Sequence, residues 1–95
     1  MATITQKSIE IDVVVCDGGN EFKLKGEINE DLLIEELIYH KSDLIKVNFK
    51  EVVMINSCGV SEWIKFVEAV SNIGSKIQYF NCPQIVVQQV NMVTG

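Results

Sequence analysis

Apolar and polar residues alternate from Ile9 to Cys16, with Ile9, Ile11, Val13 and Val15 on one side and Glu10, Asp12, Val14 and Cys16 on the other. A period of two predicts a strand with one buried face and one partly wet face. Asp17-Gly18-Gly19-Asn20 follows, a turn signal because glycine accepts positive φ. The alternation resumes from Glu21 to Gly26, where Phe22 and Leu24 oppose Glu21, Lys23 and Lys25. The chain is therefore expected to open with a β-hairpin. The start, Met1 to Thr5, is short and polar and is assigned to no element.

The period changes after Gly26-Glu27-Ile28-Asn29. Leu33 with Leu37 and Ile34 with Ile38 recur four residues apart, which predicts a helix to about His40. Asn29 is its expected N-cap, with Glu30 and Asp31 in the first turn. Lys41-Ser42-Asp43 ends it, and Leu44 to Phe49 reads as a strand covered on both faces. A short polar turn at Lys50-Glu51 and a second apolar run lead to Asn56-Ser57-Cys58-Gly59. From there Val60, Trp63, Ile64, Val67, Val70 and Ser71 form one helical stripe, widened by Phe66 and Ile73, against a polar face of Ser61, Lys65, Glu68 and Asn72. Gly74 is the expected terminator of that helix. Lys76 to Phe80 reads as a short strand, and Pro83 precedes a last helical segment, Gln84 to Met92. The order is β-β-α-β-α-β-α. This is an α/β fold with a mixed, mostly parallel sheet, since strand–helix–strand units with short connections pair parallel neighbours.

Composition narrows the picture. A chain of 95 residues with 47% apolar residues builds one small domain, residues 1–95, around one core. Its 8 basic against 13 acidic residues give a net charge of −5, and no basic patch interrupts it. That balance argues against nucleic acid and anionic membrane as partners, both of which need a basic face. No apolar run approaches spanning length, and no signal peptide opens the chain. Cys16, Cys58 and Cys82 lack metal-ligand spacing and read as free thiols of a reducing cytoplasm. His40, the single histidine, is expected to end a helix rather than to bind metal. No catalytic set emerges, so the chain is expected not to be an enzyme and to need no cofactor.

The junction at Ser57 holds the chemistry. A hydroxyl residue at a helix start can cap it. The same place suits negative charge, because free amides and the helix dipole converge there, so a phosphate added to Ser57 meets a receptive setting. Cys58 at the same helix start is either a reactive thiol or a small packed residue.

The stretch from Asn48 to Gly59 resembles the signature of the STAS domain, the fold of bacterial anti-sigma factor antagonists. Asn48 stands for the Asp or Asn that ends an apolar strand, and Asn56-Ser57-Cys58-Gly59 closes the pattern at the family's spacing. Gly26-Glu27-Ile28-Asn29 resembles the family's earlier Gly-Glu-Leu-Asp turn. The element order agrees over nearly the whole chain. The resemblance implies a non-enzymatic, cytoplasmic module for partner switching in bacterial signal transduction. A serine kinase that doubles as an anti-sigma factor would phosphorylate Ser57, and a phosphatase would reset it. The surface around Ser57 would comprise Asn29, Asn56, Cys58, Gly59, Ser61 and Glu62. Two departures stand out: Asn29 and Asn56 are amides where the family's turns carry acids, and Cys58 replaces a hydroxyl residue. These favour, as alternatives, an unregulated STAS scaffold that has lost phosphorylation or a small-ligand or thiol sensor.

Overall fold

A computed structural model describes residues 2–81. Over these residues it is an α/β fold built on a five-stranded mixed sheet with two helices. The strands are β1 (Ala2–Thr5), β2 (Ile9–Cys16), β3 (Gly19–Ile28), β4 (Leu44–Ile55) and β5 (Lys76–Phe80), and the helices are α1 (Ile34–Tyr39) and α2 (Ser57–Asn72). Spatial order follows chain order, β1-β2-β3-β4-β5. β1, β2 and β3 pair antiparallel, and β3, β4 and β5 pair parallel. The expected final helix, Gln84 to Met92, lies outside the described residues, as does Cys82.

The opening hairpin forms as its alternation predicts, closed by a two-residue loop with Gly18 at φ +84° and Cys16 opposite Gly19. Ile9, Ile11 and Val13 are buried, whereas Val15 is 76% exposed. Val15 shares the parity of the others but sits beside the hairpin tip. The start of the chain is also more than a polar lead-in. β1 is added on the outer edge of β2, where Ile4 is buried and Thr3 Oγ1 donates to Asp12 Oδ1 (3.0 Å).

Two boundaries differ from the sequence pattern for local reasons. α1 begins at Ile34 rather than after Asn29, because the chain first makes a tight turn. Asn29 Oδ1 accepts from the Asp31 amide (2.9 Å), the Asn29 carbonyl accepts from the Leu32 amide (3.1 Å), and Leu32 is buried. Such side-chain-to-backbone bonds compete with helix. Leu33 caps α1 with no side-chain bond, but both its backbone groups are held by the Gln6 side-chain amide at 2.9 and 3.0 Å. His40 ends α1 as its C-cap, as expected.

β4 likewise does not stop at Phe49. It runs for 12 residues through Lys50 and Glu51. Its register against β3 shifts between Lys23 and Lys25 and again between Gly26 and Glu27, each time with one extra residue on β4. At the first shift Asn48 Oδ1 accepts from the Lys50 amide (2.9 Å), so the bulge satisfies itself locally.

Both crossovers, β3-α1-β4 and β4-α2-β5, step in the same direction along the sheet. One hand of connection therefore puts both helices on one face, and the two helices touch each other. That face holds the core: Ile11, Phe22, Leu24, Ile45, Val47 and Phe49 of the strands pack with Leu37, Trp63, Phe66 and Val70 of the helices. On the other face, Glu10, Asp12, Lys23, Lys25, Asn48, Lys50 and Glu51 help line an open groove of about 280 Å³. Among the described residues, β4 is thus covered by helix on one face only, and the expectation of two covered faces is corrected. Its outward positions Leu44, Lys46 and Asn48 are half exposed between the buried Ile45, Val47 and Phe49.

Candidate functional site at the start of the second long connection

β3 and β4 run parallel and end side by side, with Ile28 opposite Ile55. The two turns that leave them therefore meet. This is the carboxyl end of a parallel pair, where open α/β sheets commonly present functional groups. The first turn holds Asn29, Glu30 and Asp31, and the second holds Asn56 and the start of α2.

Asn56 is the N-cap of α2. Its backbone is extended, and its Oδ1 accepts from the Gly59 amide at 2.8 Å. Its own backbone amide donates to the Ile28 carbonyl (3.2 Å), tying the turn to β3. Ser57 is the first residue of the helix and is exposed. The sequence pattern puts the cap on Ser57; the structure moves it one residue back and leaves the serine hydroxyl directed to no partner among the described residues. The amides of Ser57 and Cys58 have no carbonyl one turn earlier in the helix to bond, as at every helix start.

Gly59 explains the glycine of the motif. A Cβ built there would lie 2.0 Å from the Ile28 carbonyl oxygen and 2.3 Å from its carbon. Both neighbours are backbone, so α2 can rest on the end of β3 only if residue 59 has no side chain. Gly59 is accordingly buried, and so is Asn29, at 8% exposure. Of the residues expected around Ser57, these two hold the turns from beneath. Cys58 and Ser61 are exposed, and Glu62 is half exposed and paired with Lys65 (3.1 Å). Ser57, Cys58 and Ser61 lie together on the outside of the first helical turn. Val53 and Met54, on the part of β4 that leads to it, are also exposed.

The sequence reading misses Glu30 as a site residue. The pattern assigns it to a first helical turn, but it lies in the β3–α1 turn, and its Oε2 accepts from Asn56 Nδ2 at 3.0 Å. That bond, followed by one from its own backbone amide and the nearby Lys7 charge, holds the Glu30 carboxyl below the usual carboxylate range, while slight desolvation acts the other way. The β1–β2 loop braces the same turn: the Ser8 carbonyl accepts from the Glu27 amide (2.8 Å), and Ser8 Oγ donates to Asp31 Oδ2 (3.3 Å). No spacing signal joins residues 7, 30 and 56; only the meeting of the two strand ends does.

Among the described residues there is no group of three or more His, Cys, Asp or Glu side chains that could hold a metal ion. No described helix is long and apolar enough to cross a membrane. Cys16 and Cys58 are free thiols. The chain matches no protein-family model, and no curated protein matches it.

Proposed function

We propose that this chain is a non-enzymatic, STAS-type protein-interaction module, switched by phosphorylation of Ser57 in a bacterial partner-switching pathway. The observation that carries the reading is the setting of Ser57: exposed, first in a 16-residue helix, and beside a second turn at the end of a parallel strand pair. A protein kinase can approach such a hydroxyl without unfolding anything. The added phosphate would lie at the positive end of α2, whose own first turn contains no acid. The partner would be a serine kinase acting as an anti-sigma factor, contacting Ser57, Cys58, Ser61 and Glu62, with a phosphatase as the resetting enzyme. The exposed Val53 and Met54 extend that surface with apolar area. Phosphate then acts by placing charge where the unmodified surface meets its partner.

A second reading, an unregulated scaffold on the same fold, draws on the two amides. Asn29 and Asn56 both make bonds that support the turns, which a module without a switch would also need. Ser57→Asp and Ser57→Ala separate the two readings. In the switch, Asp weakens binding to the partner kinase by about 1–3 kcal/mol, roughly fivefold to 150-fold in Kd, and Ala does not. Equal affinities, measured by calorimetry, leave the scaffold.

A further inference from the structure

The Asn56 side chain performs two tasks at once. Its Oδ1 takes the Gly59 amide, and its Nδ2 donates to Glu30. An ionised aspartate offers acceptors only, and a hydroxyl presents one short branch, so among short side chains the primary amide suits both bonds. Asn56 therefore carries a carboxylate to the start of α2 from a residue 26 positions earlier in the chain. Asn29, the neighbour of that residue, is buried and neutral. Glu30 is the carboxylate that Asn56 holds there.

We infer that Glu30 is the electrostatic positioning residue of the Ser57 site, held by Asn56 so that its carboxylate shares the start of α2 with any phosphate on Ser57. This rests on Ser57 as the phosphoacceptor. The other charged groups about Glu30 are Lys7 from the β1–β2 loop and Asp31 in its own turn, the latter bonded by Ser8. Further along α2, Glu62 is paired with Lys65. The helix amides draw a phosphate on Ser57 inward. Glu30 opposes this, and opposes the dianion more than the monoanion. Its charge therefore raises the pH at which the phosphate takes its second negative charge, and it keeps the group from settling tightly onto the helix.

The test uses the full chain with phosphoserine installed at position 57 during translation, so no kinase is needed. The ³¹P resonance is titrated at low ionic strength in the parent phosphoprotein and in its Glu30→Gln variant. Glutamine keeps an acceptor for Asn56 and removes only the charge. The midpoint, near pH 6 for an ordinary phosphoserine, is expected about 0.3–0.5 of a pH unit lower in Glu30→Gln, the size of one charge acting over several ångströms of water. Asp12→Asn, on the opposite face of the sheet, is expected to leave it unchanged. In the parent phosphoprotein, the Asn56 side-chain NH₂ resonances are expected to titrate with the phosphate, a readout that needs no variant. Coincident midpoints for the parent and the Glu30→Gln variant, an equal displacement by Asp12→Asn, or Asn56 resonances that ignore the phosphate would overturn the assignment. Because the phosphate is built in, that result is separate from whether a kinase modifies Ser57.

Discussion

Gly59 has backbone against it where a side chain would begin. Moving Ile28 means moving the end of β3, so Gly59→Ala is expected to cost about 3 kcal/mol or more, at the upper end of overpacking penalties. Gly74 provides the contrast. It has φ +90° and open space around its Cβ position, and its amide and that of Ser75 close the end of α2 on Ser71 and Val70 at 3.1 and 3.0 Å. Gly74→Ala meets only the left-handed backbone penalty, about 1 kcal/mol. Urea denaturation of the two variants checks the ordering; a Gly59→Ala protein as stable as Gly74→Ala would contradict the close seat of α2. The glycines themselves are legible in the sequence, one from the motif and one from its place after an apolar stripe. The partners of Asn29, Asn56 and Glu30 are not. Each is polar, short-range in its bonding and placed by tertiary structure, so the sequence supplies the side chain without its direction.

At the scale of elements, the hairpin and the helix to Gly74 follow from periodicity because each buries a single face. The errors arise where periodicity is locally broken. Lys50-Glu51 puts two polar residues in succession, a pattern shared by a turn and a bulge, and the Asn48 bond to Lys50 selects the bulge. The buried face of α2 is rotated slightly from the stripe that spacing predicts. Gly59, Val60, Trp63, Phe66, Val67 and Val70 are buried, while Ser71 is exposed and Ile64 half exposed. Phe66, which the pattern puts at the edge of the apolar arc, is wholly buried between Phe22 and Trp63, with ring centroids 6.1 and 4.9 Å away. Ile73, on the same predicted edge, is 54% exposed just past the helix. Phe66→Ala should therefore lose about 3–5 kcal/mol, and Ile73→Ala no more than about 0.5 kcal/mol. Thermal melts of the pair decide it, and comparable losses would mean that α2 is turned the other way.

At the scale of the molecule, the sheet order and the two same-direction crossovers bring the ends of β3 and β4 together and leave Ser57 outside them. The general α/β architecture is legible because strand and helix patterns alternate through the middle of the chain. The extra edge strand β1 is not, since its four residues carry one buried side chain, Ile4, too little pattern to register. The convergence of the β1–β2 loop with both turns is equally hidden, because it exists only once the sheet has formed. The central claim is that this assembly presents Ser57 to a kinase. Its most direct test is intact-mass spectrometry of the chain after incubation with ATP and its proposed partner, a serine kinase of the anti-sigma-factor type. The account predicts a gain of one phosphate that fragment spectra place on Ser57 and that Ser57→Ala abolishes. No gain, or a gain that persists in Ser57→Ala, would contradict it.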